Sequence, residues 1–131
     1  MDGKKATIWD PLRKKMVPLT PEERVRQWFI TVLNGDMKVP FHMMMSEVAF
    51  ALGEKRFQAD IIVYGRDTRP VAVIECKRPQ VELDGKVLEQ AVRYNMALDV
   101  RYIFITNGQK TFVHGPEGFT DRLPSYEEMK G

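Results

Sequence analysis

Cysteine occurs once in this 131-residue chain, at Cys76, and histidine twice, at His42 and His114. A single thiol excludes an internal disulfide framework and fits a reducing compartment. Two isolated histidines argue against a histidine-rich metal site. No apolar stretch approaches the ~20 residues of a membrane span, and Met1 to Lys5 lacks the apolar core of a signal peptide. The expected setting is therefore cytoplasmic, with no membrane partner. There is no Gly-x-x-x-x-Gly-Lys-Ser/Thr phosphate loop, no internal repeat and no low-complexity segment. Charge of one sign is also scarce: the net value is +2, which permits nucleic-acid binding without arguing for it. The apolar fraction of 44% is enough for a core and excludes disorder as the class. The length fits one domain over residues 1–131, with an arm at 1–19, a core at 20–114 and a tail at 115–131.

What the chain does have centres on Val71-Ala-Val-Ile-Glu75-Cys-Lys77. The β-branched apolar run predicts a buried strand. Such a strand does not end in two charged residues unless they are paired or bind something. Side chains alternate, so Glu75 and Lys77 share one face and Cys76 takes the other, as a small core hydrophobe rather than a nucleophile. Phe57 to Tyr64 predicts a second strand, interrupted by Asp60, with the turn formers 65–70 between the two. A hairpin turning about Asp67-Thr68 gives paired residue numbers that sum to 135. Asp60 then faces Glu75 at a Cβ separation of about 5 Å. A bulge, or Pro70, shifts that register locally.

Two carboxylates so close repel unless a cation lies between them. Hard oxygen ligands with open positions suit Mg²⁺ or Mn²⁺. A neighbouring lysine can polarise a bound water or offset charge developing on a phosphate. Asp60 with Glu75-x-Lys77 is thus a coherent site for metal-dependent phosphodiester hydrolysis. The competing reading for each residue alone is a surface ion pair.

Elsewhere the pattern is structural. Thr20, Pro21 and Glu23 predict a helix start with a capping box. Val25, Trp28, Phe29, Val32 and Leu33 predict its buried face, and Asn34-Gly35 its end. Lys4, Lys5, Arg13, Lys14 and Lys15 form a basic cluster, either a phosphate contact or a solvated arm. The methionines 43–45 predict core filling. Residues 47–52 alternate only partly and read as a strand or a helix end, the strand being preferred as the first of a three-stranded meander. A second helix is expected from about Lys86 to Leu98, with Val87, Leu88, Ala91, Tyr94 and Leu98 inward. Gln90 and Tyr94, four apart, lie on one side of it, where spacing alone favours a boundary glutamine and a half-buried core tyrosine over a pair reaching a site at the sheet's edge. Val100 to Thr106 and Gln109 to His114 predict a hairpin about Asn107-Gly108, with Arg101 and Lys110 adding positive surface. The tail predicts Tyr126 and Met129 as its anchors.

With these residues in view, the chain resembles the PD-(D/E)xK nuclease superfamily. More narrowly it is similar to the nuclease domain at the N-terminus of type I restriction enzyme R subunits. The likeness rests on Asp60, Glu75-Cys76-Lys77 and Gln90-x-x-x-Tyr94, on the text around them (Ala59 to Tyr64, Ile74 to Pro79, Thr106 to Gly108), and on Asp10-Pro-Leu-Arg13 with Leu19-Thr-Pro-Glu-Glu23. It implies an α/β restriction-endonuclease-like fold, a mixed central sheet flanked by helices. It implies that Asp60, Glu75 and the Cys76 backbone carbonyl hold the metal, with Glu47 as a further ligand. It implies that Lys77 positions or activates the attacking water, and that Gln90 and Tyr94 orient the site or contact the nucleic-acid backbone. Arg78 lies near enough to contact phosphate. The implied partners are DNA and other restriction-system subunits. Such R subunits continue into an ATP-driven translocase, of which this sequence holds no motif.

Three functions follow in order: a Mg²⁺-dependent deoxyribonuclease, working as a homodimer if it cuts both strands; a catalytically inactive DNA- or protein-binding module of the same fold; and a small interaction protein pairing through a sheet edge.

Overall fold

The apolar runs around Asp60 and before Glu75 become the middle of a sheet. In the computed structural model, which describes residues 5–131, six strands lie in the order β3-β4-β5-β6-β7-β8. They are β3 (Met44–Leu52), β4 (Lys55–Tyr64), β5 (Pro70–Cys76), β6 (Tyr102–Thr106), β7 (Thr111–Gly115) and β8 (Gly118–Thr120). All neighbours are antiparallel except β5 and β6, which are parallel. A parallel pair needs a long crossover, and the helix α2 (Gly85–Asn95) supplies it. The expected mixed sheet with flanking helices and its three-stranded meander are both present.

The register of β4 with β5 is the expected one. Ile61 faces Ile74, Ile62 faces Val73 and Val63 faces Ala72; an irregularity between Val63 and Tyr64 then brings Tyr64 opposite Pro70. That shift absorbs the proline, which cannot donate to the ladder.

Two apolar layers cover the sheet. Helix α1 (Pro21–Thr31) buries Val25, Phe29 and Ile30 against Ile61, Val63, Ala72, Ile74 and Phe104. Helix α2 buries Ala91 and Val92 against Ile62, Val73, Ile103 and Ile105. A strand covered on both faces reads as a continuous apolar run, which is why β5 does not alternate.

Local signals and their outcomes differ in instructive ways. Thr20 caps α1 by accepting the Glu23 amide at 3.0 Å, but the Glu23 carboxylate does not complete a capping box; it binds Arg13, Arg26 and Gln27. Trp28, expected inside with Val25 and Phe29, is 43% exposed, while those two are buried as expected. Helix α1 gives way to a π-turn at Val32–Asp36 before Asn34-Gly35 can end it. Of the three methionines, Met44 is buried and Met43 packs on the core edge, while Met45 is exposed, as alternation in β3 requires. Helix α2 ends at Asn95, with a 3₁₀ turn at Met96–Leu98, and buries Ala91, Val92 and Asn95 rather than Tyr94. Strand β6 begins at Tyr102, not Val100.

The N-terminal arm forms a hairpin of β1 (Thr7–Asp10) and β2 (Lys15–Pro18), of which Val17 and Asp10 are buried. Arg13 does not join a free basic cluster, because it binds Asp10 and Glu23; Lys4 lies outside the described residues. The tail closes as α3 (Tyr126–Lys130), where Met129 is buried and the Tyr126 hydroxyl donates to the Tyr64 carbonyl at 2.6 Å. Among the described residues no helix is long and apolar enough to cross a membrane.

Candidate active site

Glu75, Cys76 and Lys77 stand at the carboxyl end of β5. The parallel ladder runs through Cys76 opposite Thr106, and the Lys77 amide donates to the Thr106 carbonyl at 2.8 Å. This pins the backbone beneath the charged pair. The Cys76 side chain is buried in the α1-side core, and burial pushes its thiol well above the ordinary range. A thiol so placed is not a nucleophile. Glu75 and Lys77 pair at 3.0 Å. The other Glu75 oxygen accepts from Asn95 Nδ2 at 3.0 Å, while the same amide also donates to the Ala91 carbonyl.

Asp60 comes from β4, one residue beyond the last β4–β5 pair. One carboxylate oxygen accepts the Cys76 amide at 2.7 Å and the other accepts Arg26 Nη2 at 3.1 Å. Burial raises the Asp60 pKa above the usual carboxylate value, against the opposing pull of the Cys76 amide and Arg26.

Glu47 comes from β3. Its neighbours Ser46 and Val48 pair with Ile61 and Ala59, but Glu47 itself, which stands across from Asp60 in that register, is skipped. Its φ of 53° places a non-glycine residue in the left-handed region, a sparsely populated conformation that costs of order 1–3 kcal/mol and clusters at functional sites. The turned-out carboxylate meets Arg26 Nη2 at 2.7 Å and Gln58 Nε2 at 2.8 Å.

Arg26 of α1 is the residue sequence reasoning missed. Its guanidinium, 5% exposed, lies among Glu23 at 2.6 Å, Glu47 at 2.7 Å and Asp60 at 3.1 Å, with Glu22 at 3.9 Å. Burial opposes its charge, but Asp60, Glu23 and Glu47 outweigh that and raise its pKa. Its Nε is buried without a hydrogen-bond partner. The available signal was the Glu22, Glu23, Arg26 spacing beside the buried positions of α1; nothing local links it to Asp60, 34 residues away. Glu22 has its pKa raised by burial and by the Asp60 charge.

Helix α2 forms the remaining wall with Gln90 and Tyr94. The Tyr94 hydroxyl accepts the Gln58 amide at 3.0 Å, which holds the ring at the cleft mouth although it is 43% exposed. Asp60, Glu75, Lys77, Gln90, Tyr94 and Glu47 thus line one cleft of about 700 Å³, joined by Glu22 and Gln58. Arg78, Arg101, Lys110 and both histidines are not among its lining residues.

The donor chemistry of this cleft fits a hard divalent cation: it is lined by carboxylates, while the Cys76 thiol is turned into the core. Among the described residues no three His, Cys, Asp or Glu side chains stand together as a finished metal cluster. Arg26 and Lys77 meet the acids instead, so part of the negative charge is offset from within the chain.

Residues 21–122 match the family described as type I restriction enzyme R protein N terminus. Over 50 residues, 38% of this chain and 6% of the relative, the sequence is 44% identical to the type I restriction enzyme EcoAI endonuclease subunit of Escherichia coli. The fold is similar to a fragment of a candidate HsdR subunit of a type I restriction enzyme from Vibrio vulnificus YJ016 (TM-score 0.62, 19% identity, 82% of this chain and 24% of that one). It is also similar to a candidate nuclease belonging to DUF820 from Anabaena variabilis (TM-score 0.52, 14% identity, 95% of this chain and 89% of that one). The chain therefore spans only a small part of the curated restriction subunit it matches. A restriction-endonuclease-like sheet, a cleft at the end of its central strand and a match over most of the length lead to one assignment: this chain belongs to the type I restriction enzyme R protein N-terminal family.

Proposed function

We infer that this chain is a divalent-metal-dependent nuclease domain that hydrolyses DNA phosphodiester bonds within a restriction system. The observation that carries the reading is the convergence of Asp60, Glu75, Lys77, Gln90 and Tyr94 from three separate elements on one cleft. Asp60, Glu75 and the Cys76 carbonyl would hold Mg²⁺ or Mn²⁺, with Glu47 as a further ligand. Bound there, the cation supplies Lewis-acid charge to the phosphate oxygens and acidity to a water.

The chain's own residues do the rest. Lys77, held at 3.0 Å by Glu75, carries a positive charge fixed in place to hold the attacking water and to offset charge developing on the phosphoryl group. Asn95 fixes the Glu75 carboxylate from behind. Gln90 and the pinned Tyr94 orient the sugar-phosphate backbone at the cleft mouth. In this reading the partners are DNA and other restriction-system subunits in the cytoplasm, and two copies are needed to cut both strands, since one site cuts one strand.

The test is nicking of supercoiled plasmid with Mg²⁺ or Mn²⁺ by the wild type, Asp60→Ala and Lys77→Ala. The expected result is metal-dependent nicking lost in both variants; full cleavage by Lys77→Ala overturns the assignment. A second reading, an inactive binding module, is favoured by one observation: Arg26 already pairs with both Asp60 and Glu47. A folded wild type that neither nicks nor shows a metal-dependent rise in Tm selects it.

A further inference from the structure

Beside the catalytic cleft lies a second groove, of about 450 Å³, that shares Gln90 and Tyr94 with it. Its other lining is cationic and aromatic: Lys55, Arg56 and Phe57 from the start of β4, and Arg93 from α2. Lys55, Arg56 and Arg93 are exposed, and only Arg93 has an acidic partner among the described contacts, Glu89 at 2.9 Å on the solvent side. Such an exposed pair is weak and yields readily to a phosphate. Phe57 packs between Phe50, stacked at 5.5 Å, and Tyr94, tilted at 5.2 Å. The Gln58 amide fixes the Tyr94 hydroxyl. Tyr94 is therefore a rigid, half-open aromatic wall between the two depressions. Three cations at a groove rim with an aromatic ring at its entrance is the combination that binds a single strand: phosphates on the cations, a base on the ring.

Resting on the nuclease reading, we propose that this groove holds the nucleotides flanking the scissile phosphate of a single-stranded segment, with Lys55, Arg56 and Arg93 on the backbone and Tyr94 under a base. A strand leaving the cleft across Tyr94 enters the groove directly, because the two depressions meet at that side chain. Charge complementarity selects the occupant: the groove is positive where the cleft beside it is lined by acids. The groove therefore gives nucleic acid a grip that does not depend on the metal.

The test uses the full chain in EDTA, which removes turnover, and a labelled oligodeoxynucleotide in single-stranded and duplex form, titrated at several salt concentrations. The combined variant Lys55→Ala, Arg56→Ala, Arg93→Ala is expected to weaken single-strand binding at least tenfold. It is expected to flatten the log Kd against log salt slope by about 2, at about 0.7 per phosphate contact. Its metal-dependent rise in Tm should equal the wild type's, since the cleft is untouched. Tyr94→Leu is expected to lose about fivefold or more in affinity and Tyr94→Phe to retain it, which separates stacking from the hydroxyl contact. Unchanged affinity and slope in a wild type that binds DNA overturn the groove and leave the nuclease reading standing. A wild type that binds neither form at low salt in EDTA overturns the groove, while the nuclease reading, whose acidic cleft needs the metal, is judged by plasmid nicking. A change in sedimentation instead of DNA affinity assigns the groove to a second copy of the chain and overturns the proposal.

Discussion

The Asp60 carboxylate accepts the Cys76 amide at 2.7 Å, so a side chain of β4 completes the backbone bonding of β5 just past the last ladder pair, Ile61 with Ile74. Structure and chemistry therefore separate at this position. Asp60→Asn retains an acceptor for the amide and should cost little stability, while Asp60→Ala leaves the amide unpaired and should cost about 1–3 kcal/mol in urea unfolding. Both should abolish metal-dependent plasmid nicking. Equal stability of the two variants would show that the amide bond contributes nothing.

Lys77 offers the complementary case. Its side chain is 36% exposed and, among the described residues, its one salt bridge is with Glu75. Lys77→Ala should change stability by about 1 kcal/mol or less while lowering the nicking rate by 100-fold or more, of the order seen when one charge-stabilising group is removed. Circular dichroism melts and single-turnover nicking at saturating protein check the two halves.

Arg26 should be the most costly substitution on α1. It is 5% exposed and faces Glu23, Glu47 and Asp60 together. Arg26→Met strands those acids and is expected to destabilise by about 3–5 kcal/mol. Arg26→Lys keeps the charge but not the planar fork and should lose less. Mg²⁺ should recover part of the Arg26→Met deficit, read as a larger metal-dependent rise in Tm than in the wild type; an equal rise would separate Arg26 from the metal-binding carboxylates.

Acid sensitivity should report Asp10. Burial alone would raise its pKa, but Arg13 and the Leu12 amide outweigh it and hold the carboxyl below its ordinary 3.8. A lowered pKa means a contribution present above 3.8 and lost as pH falls through the lower folded value. Asp10→Asn should therefore be less stable at neutral pH, by about 1–3 kcal/mol, and the gap to the wild type should close as pH falls below about 4. Urea melts from pH 7 to pH 3 measure it.

Cys76 should be silent to thiol reagents. It is 2% exposed and its thiol is pushed up by burial. Modification should proceed at the rate of unfolding, and a fast reaction in the native state would contradict the packing.

The legible parts of this protein were those set by near neighbours. The turn between Tyr64 and Pro70 is short, so counting across it placed Asp60 against the end of β5, and the alternation of a strand put Glu75 beside Lys77. The Thr20 cap and the Asn107 turn likewise depend on groups within three residues. The Gln90 and Tyr94 pair was legible because one helix turn separates them. Trp28 misled for the opposite reason: helical spacing marks a stripe, and packing against Ile61 and Phe104 decided which edge of it was covered.

By itself, then, the sequence determined the strands from β4 to β7, the hairpin register and the acid-acid-lysine set, because each follows from φ/ψ preference, alternation or a short loop; the β1–β2 hairpin and β8 formed in stretches it marked only as arm and tail. Only the tertiary structure decided that β5 lies parallel to β6, that α1 sends Arg26 across to Asp60, that β3 breaks its ladder at Glu47, and that Asn95 holds Glu75. These relations join residues far apart in the chain. They are selected by which apolar faces bury together and by where buried charges can find partners, and no local propensity encodes that.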